Sequence, residues 1–224
     1  MTFSLVARCH DTGLFGVAIS SSSPAVAARC SFAKAGVGAV ASQNVTDPRL
    51  GPLTLERMAA GNSAADSIET VIKNTKYTDF RQLLAIDRMG NTSIHSGARS
   101  LGINAEFQTL NAAAAGNLLA CSDIPKAMIN SLQKNIGHLG DRLINALRAG
   151  LASGGEAGPL HSAGLLLVSE QDWPIADLRC DWTEECPIEA VAEAWEIYKP
   201  QMNDYVTRAL TPHLAPSYGV SGDE

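Results

Sequence analysis

Residues 2–20 read TFSLVARCHDTGLFGVAIS, and this stretch decides how the fold begins. Its two apolar runs are rich in β-branched and aromatic residues, and the turn sequence HDTG at 10–13 separates them. This pattern predicts a β-hairpin with strands at 2–7 and 14–20. Gly16 lies inside the second strand, which indicates that another backbone or a ligand comes close at that point.

Polar residues end the second and third predicted strands. Ser20–Ser23 close the second strand, and AGVGAVASQN at 35–44 predicts a third strand that ends in Gln43 and Asn44. A scaffold presents chemistry most easily at the ends of its strands. Ser21 lacks the GxSxG context of a serine nucleophile, so we expect it to line a cleft or to satisfy a strand end.

Thr2 combines two reactive groups if the chain is trimmed. A small second residue allows methionine aminopeptidase to remove Met1, which leaves Thr2 with a hydroxyl and a free α-amine. Because an α-amine has a pKa of about 7.7–8.0, a usable fraction is neutral at pH 7 and can accept the hydroxyl proton. Many proteins begin Met-Thr, so the alternative that Thr2 simply opens a strand stays open on these two residues alone.

The remaining pattern groups strands and helices instead of alternating them. Further strands are predicted at 82–87, 91–95, 163–169 and 173–180, and helices at 63–74, 123–134, 139–151 and 187–198. Residues 107–111 are expected to continue the sheet of the 82–95 hairpin. This order favours an α+β fold, and a four-layer αββα sandwich would use every element.

Two segments are less regular. Residues 25–35 fit either a short helix or an irregular crossover. Residues 47–53 contain Pro48, Gly51 and Pro52 and predict a loop, after which Thr54 is expected to cap a helical turn. Ser63 is expected to cap the helix that follows.

Length and composition indicate one domain, residues 1–224, of which 201–224 form a C-terminal tail. The net charge of −6 and pI near 5.4 argue against nucleic acid as a partner. No long apolar segment or signal sequence is present, and the five cysteines form no CxxC, so we expect a cytoplasmic protein without membrane contact. We expect no metal and no cofactor, because the five histidines lack ligand spacing. Trp195 and Tyr198 on one helix face suggest a homodimer.

Several motifs in this order resemble the domain of unknown function family 1028, which is assigned to the Ntn (N-terminal nucleophile) hydrolase superfamily. The matching segments are TFSLVARCHDTGLFGVA, AGVGAVASQN, GPLTLERMAAGNSA, the 87–97 hairpin, AAAGNLLA, ASGGE, HSAGLLLV and DLR. The resemblance implies an Ntn-hydrolase-like αββα fold in which Thr2 attacks an amide carbonyl. It also makes Gln43, Asn44 and Asn117 candidate donors to the oxyanion, although each also fits a local turn or strand-end role.

Lys34 and Glu156 are further candidates with competing interpretations. Lys34 follows Thr2 by 32 residues, the separation of nucleophile and lysine in proteasome-type threonine hydrolases, and a buried ammonium there would lower the pKa of the hydroxyl. Ala18 replaces the expected acidic partner, which favours an exposed surface lysine. Glu156 stands where the family usually has Asp, without the following arginine, and is either a binding carboxylate or a loop charge.

Two functions from different classes follow. The first is an amidohydrolase that cleaves a small amide-type substrate through Thr2 after Met1 removal. The second is a non-catalytic protein of the same fold that binds a ligand or a partner through the same cleft.

Overall fold

The computed structural model describes residues 2–222. Met1, whose removal is predicted, and the last two residues of the predicted tail lie outside the described residues. The strands are β1 (Thr2–Arg8), β2 (Phe15–Ser21), β3 (Ser31–Lys34), β4 (Gly38–Asn44), β5 (Arg81–Asp87), β6 (Thr92–Ser96), β7 (Ala105–Thr109), β8 (Ala112–Asn117), β9 (Ser162–Val168) and β10 (Ala176–Cys180). The helices are α1 (Val26–Cys30), α2 (Leu50–Ala59), α3 (Ala64–Lys73), α4 (Ile124–Lys134), α5 (Leu139–Ala152), α6 (Pro187–Tyr198) and α7 (Met202–Leu210).

The strands form two antiparallel sheets that lie face to face. The larger sheet has the order β10-β9-β2-β1-β8-β7, and the smaller has the order β3-β4-β5-β6. Helices α4, α5 and α6 cover the outer face of the larger sheet, whereas α2 and α3 cover the smaller. The predicted α+β fold, a four-layer αββα sandwich, is therefore confirmed. No helix within residues 2–222 is both long enough and apolar enough to cross a bilayer.

The central strands are buried on both faces, which explains their nearly continuous apolar sequences. In β1, Leu5 packs toward the helices and Val6 toward the opposite sheet. Strand β8 follows the same alternation with alanines, because Ala114 faces the helices while Ala113 and Ala115 face the smaller sheet. These small side chains let the two sheets approach closely along β8.

Elements with strong local signals lie where the sequence predicts them. Gly13 has a φ of 73° in the turn between β1 and β2, a conformation that glycine adopts readily. Ser63 caps α3 as predicted, because its side chain accepts a hydrogen bond from the Asp66 N–H at 3.1 Å. Helices α4, α5 and α6 begin and end within one residue of their predicted bounds.

The predicted loop at 47–53 is wrong. Helix α2 already begins at Leu50, and the Asp47 carboxylate accepts from the Arg49 N–H at 3.1 Å just before it. Pro52 is tolerated because the first turn of a helix leaves its N–H groups without intrahelical partners. Thr54 is consequently an interior residue whose hydroxyl donates to the Leu50 carbonyl at 2.7 Å, and it caps nothing.

Two other predictions are corrected by pairing between strands. Residues 107–111 do not continue the β5–β6 sheet, because β7 pairs with β8 in the larger sheet. The positive φ of 67° at Asn111 closes a tight turn in which Thr109 faces Ala112. Residues 25–35 contain a short helix, one of the two predicted alternatives, but α1 ends at Cys30 and β3 begins at the next residue.

Packing within the chain accounts for Gly16 and Trp195, which the sequence analysis assigns to a nearby backbone or ligand and to a homodimer surface. A Cβ on Gly16 would lie 2.4 Å from the Cδ1 atom of Leu143, so the close neighbour is chiefly a side chain of α5 rather than a backbone or a ligand. Trp195 is 1% exposed and covers Gly140 inside the same chain. It therefore offers no surface for a homodimer.

Candidate active site

Thr2 opens β1 at one end of the larger sheet, between β8 and the end of β2. It is paired with Asn117 of β8, and its Oγ1 atom lies 3.2 Å from the Oγ atom of Ser21. The Ser21 hydroxyl is 2.8 Å from that of Ser23, to which the Arg29 guanidinium donates at 2.6 Å. A chain of three hydroxyls therefore connects Thr2 to a cation, and two of the three belong to the serine run that follows β2.

Glu156 is held beside this hydroxyl chain. Gly154 and Gly155 have φ values of 123° and 61°, and they turn the chain so that Glu156 pairs with Leu119 beyond the end of β8. Glu156 is only 6% exposed, and its Oε2 atom accepts from the Ser22 N–H at 3.2 Å. Its Oε1 atom is buried without a hydrogen-bond partner among residues 2–222.

The environment of Glu156 changes its acidity. Burial raises the pKa of this carboxyl to about 7 from its ordinary value of 4.5. The positive charge at the N-terminus of the chain, the hydrogen bonds from Ser22 and the charge of His161 act in the opposite direction. A carboxyl with this pKa exchanges its proton near neutral pH, which is the range in which proton transfer to and from substrates is most efficient.

His161 and Trp182 complete the site and are absent from the predicted set. The His161 N–H donates to the Ser21 carbonyl at 2.9 Å, and its ring stacks on Trp182 with centroids 4.2 Å apart. Trp182 is 52% exposed and forms an aromatic surface next to the polar residues. The signal that could reveal His161 is its position just before Ser162, which pairs with Ser21 across β9 and β2.

The amide side chains form a buried network between the two sheets. Ser4 Oγ donates to Gln43 Oε1 at 2.6 Å, and Gln43 Nε2 donates to Gln82 Oε1 at 2.7 Å. Asn117 Nδ2 also donates to Gln82 Oε1, at 3.3 Å, and Gln82 Nε2 donates to Ser96 Oγ at 3.0 Å. Gln82, which the sequence prediction omits, therefore joins two predicted site residues directly behind Thr2.

Asn44 has a different role from Gln43. With a φ of 73°, it ends β4 in a left-handed turn, and its Nδ2 atom donates to the Phe80 carbonyl at 2.6 Å. Its Oδ1 atom accepts from the Leu101 N–H at 3.3 Å. Both functional groups of the amide thus bind backbone groups of segments that are distant in sequence, which ties the end of β4 to Phe80 and Leu101.

Lys34 is separated from the other predicted site residues. It is exposed and pairs with Gly38 at the beginning of β4, whereas Gln43 lies near the end of that strand. Five residues of extended chain span about 17 Å. The structure therefore places no Lys34 ammonium beside Thr2, in agreement with the surface interpretation. Within residues 2–222, no group of three or more His, Cys, Asp or Glu side chains is arranged to hold a metal ion.

A family model described as "Family of unknown function (DUF1028)" matches residues 2–191, which include all the site residues described above. The chain belongs to the DUF1028 family. No curated protein matched its sequence.

A similar solved structure comes from the same family. The crystal structure of protein SPO2555 from Silicibacter pomeroyi, assigned to DUF1028, is 26% identical, covers 93% of each chain and superposes with a TM-score of 0.83. Anbu (ancestral beta-subunit) from Yersinia bercovieri is 10% identical with a TM-score of 0.40 over 90% of this chain and 96% of its own. The likeness to Anbu is too distant to support a functional argument.

Proposed function

We propose that this DUF1028 protein is an N-terminal-nucleophile amidohydrolase that cleaves a small amide-type substrate through Thr2 after Met1 is removed. The observation that carries the proposal is the contact between Thr2 Oγ1 and Ser21 Oγ at 3.2 Å, next to the buried carboxyl of Glu156. A hydroxyl at the head of the chain, hydrogen-bonded and surrounded by polar groups, is suited to nucleophilic attack once its own α-amine is free.

The proposed reaction uses Thr2 as both nucleophile and base. The α-amine accepts the hydroxyl proton as Oγ1 attacks the amide carbonyl carbon, and the resulting tetrahedral intermediate carries a negative oxygen. Collapse of this intermediate breaks the C–N bond, transfers the proton to the departing nitrogen and leaves an ester on Thr2. Water then hydrolyses the ester and restores the hydroxyl.

The oxyanion requires hydrogen-bond donors close to Thr2. Among the candidates Ser21, Gln43, Asn44 and Asn117, we assign this role to Ser21, whose Oγ atom lies 3.2 Å from Thr2 Oγ1. Lys34 is not required, because the α-amine supplies the base.

The alternative is a binding protein without catalysis, and two observations favour it. Thr2 is only 6% exposed, so a substrate has little direct access to it. The amide N–H groups of Gln43 and Asn117 already donate to Gln82.

Mass spectrometry of protein isolated from its own cells separates the two functions. For the amidohydrolase, we expect a mass lacking Met1 and, after incubation with an electrophilic β-lactone, a single adduct that maps to Thr2. Thr2→Ser keeps the hydroxyl and should label, whereas Thr2→Val keeps the branched shape, permits trimming and should not. Full retention of Met1, or a trimmed chain that stays unlabelled, would favour the binding protein.

A further inference from the structure

Glu156 lies in line with β1, just ahead of Thr2. Strand β8 lies between β7 and β1, and beyond Asn117 its two edges have different neighbours. The Leu119 N–H points to the β7 side and donates to the Ile103 carbonyl at 2.9 Å. Two hydrogen bonds flank the Leu119–Glu156 pair, from the Ala120 N–H to the Gly155 carbonyl and from the Ala157 N–H to the Leu118 carbonyl. They therefore leave β8 on the β1 side, where Thr2 pairs with Asn117.

The side chain of Glu156 reaches the level of the Thr2 nitrogen. Phe3 pairs with Ser20, and continuing this register places Thr2 opposite Ser21. Ser22 follows one residue further along the chain. Glu156 Oε2 accepts from the Ser22 N–H, so the carboxylate lies at the Thr2 end of β1, where the Thr2 nitrogen forms the peptide bond to Met1. Removal of Met1 converts the nitrogen of that bond into the α-amine.

The chemistry of the carboxylate also points to a missing partner. Glu156 is 6% exposed, and its Oε1 atom has no hydrogen-bond partner among residues 2–222. A buried oxygen in this position is costly unless a donor binds it. The charged groups that act on this carboxyl are the ammonium at the N-terminus of the chain and, more weakly, His161, while Arg29 is bound to Ser23.

We infer that Glu156 is a positioning residue whose Oε1 atom binds the α-ammonium of Thr2 in the trimmed chain. This inference rests on the Met1 removal in the proposed function but requires no turnover. During attack, the Thr2 hydroxyl proton moves to the α-nitrogen, and Glu156 stays ionised while it accepts a hydrogen bond from the ammonium. A base that is itself oriented by a third group is the usual arrangement of an activated hydroxyl nucleophile.

The pKa of the Thr2 α-amine tests the inference directly. Full-length chain beginning at Thr2, with 13C-labelled threonine, is titrated by NMR, and the Thr2 signal is assigned by its absence from Thr2→Ser. We expect an α-amine pKa at least one pH unit above the ordinary value of about 7.7–8.0, because the carboxylate stabilises the ammonium. Glu156→Gln should lower this pKa by at least one pH unit, a tenfold increase in the acidity constant, and return it to the ordinary range.

Matched controls exclude a general effect on folding. Glu170→Gln removes an exposed carboxylate beyond β9, at the opposite end of the sheet, and should leave the titration unchanged. If Glu156→Gln does not fold, Glu156→Asp should show a smaller elevation than the parent chain. An α-amine with an ordinary pKa in the parent, or one that Glu156→Gln does not lower, overturns the inference. Absence of β-lactone labelling with this titration intact would instead contradict the proposed function alone.

Discussion

Replacing Glu156 with glutamine should stabilise the fold in a pH-dependent manner when Met1 is retained. Below pH 4.5 the carboxyl is protonated in both the folded and the unfolded chain, so its burial costs no ionisation energy. As the pH rises from 4.5 to about 7, the unfolded chain loses this proton while the folded chain keeps it. The free energy of unfolding of the parent protein therefore decreases through this window and has no further dependence on Glu156 above it.

The size of the effect follows from the raised pKa. The interval from 4.5 to about 7, at about 1.36 kcal/mol for each pH unit, corresponds to a loss of up to about 3 kcal/mol. Glutamine has nearly the same shape and an oxygen that can accept the Ser22 N–H, but it does not ionise. The stability of Glu156→Gln relative to the parent should thus rise by up to about 3 kcal/mol between pH 4.5 and 7.

Urea unfolding followed by tryptophan fluorescence measures this difference at several pH values. Intact mass verifies that each preparation carries Met1, and the parent protein supplies the common reference because its other titrating groups cancel in the difference. Exposed Glu170→Gln is the control and should track the parent at every pH. A stability difference between Glu156→Gln and the parent that stays constant from pH 4.5 to 8 would refute the reasoning.

Two other substitutions test the framework around the site. Gln82→Leu should lower the free energy of unfolding by at least about 2 kcal/mol, because it leaves the Asn117 amide without its acceptor and Gln43 with one acceptor fewer. The control Gln108→Leu changes an exposed residue and should have little effect. Equal urea midpoints for both variants would contradict this role of Gln82. Ser63→Ala should cost about 1 kcal/mol by removing the cap of α3, measured as a shift in thermal unfolding, and an unchanged transition would show that the cap is dispensable.

Local chemistry made much of the fold predictable from the sequence. The Gly13 turn and the Ser63 cap each depend on a few adjacent residues, so their sequence signals are direct. Strand pairing depends on distant residues, and the placement of β7 beside β8 was accordingly predicted wrongly. The helical start at Leu50 was missed because proline and glycine, which usually indicate a loop, are tolerated in a first helical turn.

The site residues likewise divide into those with a local sequence signal and those whose place depends on distant residues. Thr2, Ser21 and Glu156 could be selected from strand ends and motifs, and the structure brings them together. His161 was overlooked because its place beside Ser21 follows from the register of β2 with β9, whose residues are far apart in sequence. Lys34 illustrates the converse, since a matching separation along the chain does not determine distance when a hairpin turns the residue away.

The small side chains of the β8 alanines determine how closely the smaller sheet packs against the strand beside Thr2. Gln43 Nε2 donates to the Ala115 carbonyl at 3.2 Å, so the smaller sheet rests almost directly on this strand. A bulkier side chain at Ala113 or Ala115 would act as a wedge between the layers and lift Gln43 away. The position of Gln43 is therefore adjustable through the size of residues outside the hydroxyl chain, a change that leaves Thr2, Ser21 and Glu156 in place.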